Sequence, residues 1–371
     1  MSKHTPLHAE HEKLGASFTD FGGWEMPLKY DSELAEHRAV RTAAGVFDLS
    51  HMGEVRVSGP AAAEYLDYAL AGKMSAMKVG RAKYSFVLTP GGGIVDDLIT
   101  YRLADDEFLI VPNASNVDAV TAALTERAAN FDVQVVNESE DTALVAIQGP
   151  EAEKILLRLT NDTDADAVTG LRYYAGIRLQ VAGHDALLAR TGYTGEDGFE
   201  IYVPNADAGD LWRKALEAGA DVGAAPAGLA SRDSLRLEAG MPLYGHELTV
   251  DLTPFAAGLG KVVSMAKPSD FVGRSALEKL KDDVPARVLV GLKSAGRRAG
   301  RAGYAVQSAT DGNRIGEVTS GAPSPTLGYP IALAYVDVAH SEPGTAVNVD
   351  LRGKPQPFEV TALPFYSRKK D

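Results

Sequence analysis

The sequence predicts an α+β fold in which two α/β-sandwich units of similar order precede a small antiparallel β-domain, a barrel or a sandwich. Three observations carry this. Glu54-Val55-Arg56-Val57-Ser58-Gly59-Pro60 and Leu144-Val145-Ala146-Ile147-Gln148-Gly149-Pro150 each run from a strand through Gly-Pro into a helix. The echo at about 90 residues is the mark of a duplicated unit. Each copy is followed by more strands and one further helix. From Asp282 onward, short β-branched runs alternate with glycine, proline and Asp311-Gly312 turns, the spacing of an all-β domain.

At 371 residues the chain exceeds one ordinary core, so two or three domains are expected. The boundaries read as 1–140 for the first unit, 141–266 for the second, 267–281 for a linker and 282–371 for the β-domain. In order, Asp31 or Ser32 caps a helix through Leu34, His37 and Arg41 that stops at Gly45. Phe47 to Glu54 leads into a strand. In both Gly-Pro copies the proline falls in the first helical turn, where its missing N–H costs nothing. Tyr84 to Leu88 and Ile94 to Tyr101 form a hairpin, Phe108 to Val111 a strand, and Val117 to Arg127 an amphipathic helix. The second copy offers strands at Ile177 to Val181, Ala186 to Arg190 and Phe199 to Val203, then a helix marked by Leu211, Trp212, Ala215 and Leu216. Two such units side by side leave a crevice, the default ligand site.

Composition narrows the function. Hydrophobic content of 45% and charged content of 23% are those of a soluble globular protein. No apolar run approaches a membrane span, and Met1 to Pro6 lacks a signal-peptide core, so a cytoplasmic protein is expected, or one of an organellar matrix after processing. The absence of cysteine removes disulfides, thiolate catalysis and cysteine-based metal sites. A formal net charge of −13 argues against a general nucleic-acid binder.

Chemistry concentrates in Thr89-Pro90-Gly91-Gly92-Gly93-Ile94-Val95-Asp96-Asp97-Leu98, where two adjacent carboxylates enter an apolar strand. Alternation sends them to opposite faces, so one is forced inward, where a carboxylate needs a partner or a ligand. Parity alone does not choose between them, and an edge strand with an Asx turn after Gly93 is the plain alternative. In Arg190-Thr191-Gly192-Tyr193-Thr194-Gly195-Glu196-Asp197-Gly198-Phe199-Glu200, glycines at every third position match no dinucleotide or phosphate loop, but let backbone approach something flat or bulky. Glu200 enters its strand as Asp97 does, with a cross-strand pair to Arg190 as the plain alternative. Arg232 and Arg236, one helical turn apart, suit a carboxylate clamp or ordinary bridges to Asp233 and Glu238. His51, beside a turn with no second metal-type ligand near it, reads as structural.

Asp20 to Pro27, Phe47 to Gly53, Gly92 to Leu98, Arg190 to Glu200, Arg232 to Gly245 and Thr319 to Gly328 together resemble the glycine cleavage T-protein family of aminomethyltransferases. The six ordered motifs span nearly the whole chain. The folate domains of sarcosine- and dimethylglycine-oxidizing enzymes share part of the pattern, but those usually carry a flavin domain, and this chain has no dinucleotide motif.

The resemblance implies a three-domain cloverleaf, with a C-terminal barrel, around a central tetrahydrofolate site. It implies transfer of a one-carbon unit from the aminomethyl-lipoyl arm of H-protein to tetrahydrofolate, with ammonia released and no metal or flavin. Asp97 matches the catalytic aspartate, stabilising positive charge as ammonia leaves. Glu200 is the candidate for the pterin edge, Tyr84, Tyr173 and Tyr193 for ring contacts, Asn113 for a further folate contact, and Arg232 for the glutamate tail. Pro112 departs from the more usual aliphatic residue and bears on local strand pairing. Two other readings stand beside this one: a different folate-dependent demethylase or folate-binding maintenance protein on the same scaffold, and a binding protein without chemistry.

Overall fold

The computed structural model describes residues 2–368. Its first sheet has five strands in the order Ala82–Leu88, Ile94–Ala104, Glu107–Val111, Val55–Ser58 and Gln134–Asn137. The second has six: Gly176–Val181, His184–Ala189, Gly198–Pro204, Thr142–Gln148, Gly45–Asp48 and Ala225–Pro226. Reading inward, each sheet runs hairpin, return strand, then the strand of the Gly-Pro motif, so the sequence echo is a structural repeat. The Gly-Pro turns match in detail. Gly59 and Gly149 adopt φ of 131° and 139°, and a Cβ at either would fall within 2.6 Å of a backbone oxygen, of Asp132 or of Ala43. Only glycine fits both conditions. The helices that follow, Ala62–Ala69 and Ala152–Leu159, each bury an apolar stripe against their own sheet.

One boundary falls differently from the sequence reading. The first fifty residues do not build the first unit, because Gly45–Asp48 pairs with Thr142–Gln148 and so belongs to the second sheet. It is buried along its whole length and fills the place that Gln134–Asn137 holds in the first sheet. Composition carries no sign of this long-range pairing. The preceding helix, Glu33–Thr42, starts at Ser32, whose hydroxyl accepts from the Ala35 N–H at 3.4 Å.

The two sheets face one another across a shared apolar layer that includes Phe47, Tyr101, Leu109, Leu144, Leu187 and Tyr202. The C-terminal strands close a six-stranded antiparallel barrel, ordered Arg287–Lys293, Pro330–Asp337, Arg314–Pro323, Ala305–Ser308, Ala346–Asp350 and Pro355–Thr361. Closure leaves no strand edge unpaired. The strand Ala305–Ser308 is only four residues long.

The helix Leu229–Glu238 joins the barrel to the two sheets. At its end Glu238 is fully buried and accepts from Arg41 at 2.8 Å and from Thr326 Oγ1 at 2.8 Å, and also from Ser324 Oγ. His37 Nε2 lies 3.2 Å from the same carboxylate. Two residues earlier, Arg236 donates to Asp233, to Glu247 and to Ser320 on the barrel.

Candidate active site

The site begins at the first hairpin. Its turn is tied by Thr89 N–H to the Gly93 carbonyl at 2.8 Å and by Gly93 N–H to Thr89 Oγ1 at 3.1 Å. A Cβ on Gly93 would lie 1.8 Å from the Val250 carbonyl oxygen, so the close approach of that segment requires glycine. The strand then pairs Val87 with Asp96 and Phe86 with Asp97, which fixes their faces.

Asp96 turns to the helix-covered side and is fully buried. It accepts from the Asn113 N–H at 2.9 Å, Asn113 Nδ2 at 2.8 Å and Asn116 Nδ2 at 2.7 Å. Burial and the neighbouring Asp97 push its carboxyl up to about 7. Asp97 turns to the space between the sheets, accepting from Tyr84 OH at 2.8 Å and Asn113 Nδ2 at 3.0 Å. Burial pushes this carboxyl up to about 6, against the pull of those two donors. Asn113 therefore orients both aspartates. Pro112 stands just past the end of Glu107–Val111, where its missing N–H breaks no pair.

Asp97 opens into a cavity of about 280 Å³ whose lining also includes Tyr84, Asn113, Tyr193, Glu200 and Arg232. Glu200 is buried on Gly198–Pro204, and Thr191 Oγ1 and Tyr101 OH both donate to its Oε2. Burial raises its carboxyl, with Thr191 and Arg232 opposing. The Arg190 pairing does not occur: Arg190 instead bridges Asp197 and Glu153. Arg232 lies over the Tyr193 ring at 4.8 Å, and its buried Nη1 has no hydrogen-bond partner among the described residues. Arg236 is fully engaged in the bridges above, so the paired clamp reduces to Arg232. Tyr193 is anchored by its OH to the Pro242 carbonyl.

One expectation is corrected. Tyr173 is 50% exposed and lies outside the cavity; Tyr174 lines it instead. Tyr174 has φ of 58°, and the two rings meet edge-on at 4.8 Å, with only Tyr174 on the cavity wall. Gly192 lines the cavity, and Gly192 and Gly198 also make room inside the protein. A Cβ on Gly192 or Gly198 would strike the Gln148 amide, which bonds Thr191 and Thr194 across the turn.

His51 was passed over, yet it lines the cavity. Its ring meets Phe21 edge-on at 5.5 Å, and its buried Nδ1 has no partner among the described residues. Burial lowers it to about 4, so it is neutral. Its signal was its place in the Phe47 to Gly53 motif; a lone histidine carries none by itself. The metal-type grouping of His4, His8 and Glu25 is outside the cavity lining.

Fold and site together define an enzyme with two facing sheets, a C-terminal barrel and a carboxylate-bearing aromatic cavity between the sheets. Residues 7–267 match the GCVT N-terminal domain, and residues 287–367 match the glycine cleavage T-protein C-terminal barrel domain. An aminomethyltransferase of Corynebacterium aurimucosum is 58% identical over 99% of both chains. One from Streptomyces avermitilis is 59% identical over 99% of this chain and 98% of its own. The crystal structure of glycine cleavage system aminomethyltransferase T from Bartonella henselae superposes with a TM-score of 0.89 at 41% identity, covering 99% of this chain and 98% of that one. The chain belongs to the glycine cleavage T-protein family, the aminomethyltransferases of the glycine cleavage system.

Proposed function

We propose that the cavity binds tetrahydrofolate and that Asp97 directs the one-carbon unit onto it from the aminomethyl-lipoyl arm of H-protein. Ammonia and the dihydrolipoyl arm are released, and 5,10-methylenetetrahydrofolate is the product. The observation that carries this reading is convergence: Asp97, Glu200 and the unpaired Nη1 of Arg232 all meet one aromatic-walled cavity. That donor set fits the ligand. Both protein contacts of Glu200 fall on Oε2, which leaves Oε1 to accept from the N–H edge of a pterin. Tyr84, Tyr174 and Tyr193 give ring-sized apolar walls. Arg232 suits the carboxylate of the glutamate tail.

Bound tetrahydrofolate would supply the N5 and N10 nitrogens that accept the carbon. The protein supplies position and charge. Tyr84 and Asn113 hold the Asp97 carboxylate in one orientation, while Ile99, Val111 and Leu144 keep water from its face. In that setting a fixed negative charge stabilises positive charge developing on the transferring carbon far more than it would in water. No helix among the described residues is long and apolar enough to cross a membrane, and we place the reaction in the cytoplasm.

Two measurements test the assignment. Glu200→Ala weakens tetrahydrofolate binding by about tenfold or more, the scale of a lost charge-assisted hydrogen bond. Unchanged affinity by titration calorimetry would remove Glu200 from the pterin edge. The charged form of Asp97 does the work, and its carboxyl sits at about 6, so protonation removes the effect as pH falls through that value. At saturating substrates the turnover should be flat above neutrality and about tenfold lower at pH 5. A profile that stays level to pH 5 would contradict an ionised Asp97.

A further inference from the structure

The slot between the two sheets opens at a second place. Strand alternation puts Asp97, Ile99, Tyr101 and Leu103 in one row on the inter-sheet face. Asp97 and Ile99 line the cavity described above, whereas Leu103 lines another, of about 750 Å³. The other strands repeat this: Val111, Glu200 and Leu144 face the first cavity, and Leu109, Pro204 and Thr142 the second. Tyr202 lines both. The two cavities are opposite ends of one slot, their nearest lining residues on each strand two to four positions apart, or about 7–13 Å. An apolar layer containing Tyr101 and Tyr202 separates them, and Tyr202 OH lies 3.4 Å from Tyr101 OH.

The second opening holds a buried carboxylate that the fold leaves unsatisfied. Glu54 is fully buried, it lines this cavity, and neither carboxylate oxygen has a hydrogen-bond partner among the described residues. An unpaired buried carboxyl is costly, and its retention calls for a ligand. The charge around it favours a cation. Of the arginines lining the cavity, Arg56 is held by Glu138 and Glu107, and Arg178 by Glu107 at 2.7 Å. Asp141 and Asp185 on the same lining add negative charge, with no arginine or lysine bridge among the described residues. One buried carboxyl without imidazole or further buried carboxylates is a poor metal set, but it suits a small hydrogen-bond donor.

We propose that this second opening is the exit site for the ammonia released in transfer, and that Glu54 captures it there as ammonium. The inference rests on reading the first cavity as the site of transfer. Neutral ammonia can cross the apolar layer, whereas ammonium is excluded from it by the cost of desolvating its charge. Burial first, and then Glu138, raise the Glu54 carboxyl well above the ordinary range, which favours the protonated form that can give a proton to ammonia. Ammonia arriving there takes the carboxyl proton: an N–H bond forms as the O–H bond breaks. The product is ammonium paired with carboxylate beside an acidic opening to solvent. Release in this direction keeps the folate cavity free of the product.

The test runs the reaction in reverse, with dihydrolipoyl H-protein and 5,10-methylenetetrahydrofolate, varying ammonium. Glu54→Gln should raise KM for ammonium about tenfold, with kcat and KM for the folate substrate within about twofold. An unchanged KM for ammonium overturns the proposal. Crystals of the wild-type protein soaked in thallium(I), a cation close to ammonium in size, should show an anomalous peak beside the Glu54 carboxylate. That peak should vanish in Glu54→Gln. The soak does not depend on turnover: an absent peak overturns the site, while a peak in a protein that transfers no carbon would instead overturn the reading of the first cavity.

Discussion

Asp97→Asn lowers single-turnover transfer by about 10²–10³-fold, the range typical of deleting a preorganised charge, while tetrahydrofolate affinity stays within a few-fold. The amide has the shape of the carboxylate and keeps an oxygen for Tyr84 OH, which donates to Asp97 at 2.8 Å. Asn113 still has Asp96 to hold its side chain, at 2.8 Å. The charge is lost, together with the 3.0 Å hydrogen bond from Asn113 Nδ2. Single-turnover rates beside calorimetric affinity separate the two effects, and an equal loss in both would mean that the substitution disturbs the cavity rather than the chemistry.

The second large effect is on stability. Glu238→Ala should cost about 3–5 kcal/mol, because it strands buried partners rather than removing a surface pair. Arg41, His37, Ser324 and Thr326 all converge on that carboxylate, drawing together the helix Glu33–Thr42, the helix Leu229–Glu238 and the barrel. Burial alone would raise the carboxyl, but the hydrogen bond and charge of His37, with Ser324 and Arg41, bring it down to about 2. A carboxyl lowered on folding stabilises above its unfolded value of about 4.3, and that contribution is lost as pH falls through the folded value. Urea unfolding at pH 7 should show the loss in full. Wild type should lose stability from about pH 4 down to about pH 2, and the variant should lack that component. Equal midpoints at pH 7 would show that the junction does not depend on this residue.

Much of this architecture was legible because it is local. The Gly-Pro turns, the hairpin around Gly93 and the β-texture after Asp282 are written in turn chemistry and two-residue alternation. The membership of Gly45–Asp48 in the second sheet was not legible, since strand pairing across roughly a hundred residues has no local signature. In the site, alternation required Asp96 and Asp97 to part, but pairing with Phe86 and Val87 was needed to say which faces the cavity. Tyr173 and Tyr174 are chemically alike, so only the left-handed backbone at Tyr174 distinguishes them. A glycine records a close approach without naming what approaches; at Gly192 and Gly198 it is the Gln148 side chain. His51 and Glu54 escaped notice for a related reason, since a missing partner is visible only once every neighbour is placed.

The most direct test of the account is a crystal structure of the protein with tetrahydrofolate. The ring should lie between the two sheets, its N–H edge on Glu200 Oε1 and the Asp97 carboxylate within about 4 Å of the carbon-accepting nitrogens, close enough for a charge to act. Density for the ligand elsewhere, with Asp97 still bound only to Tyr84 and Asn113, would contradict it.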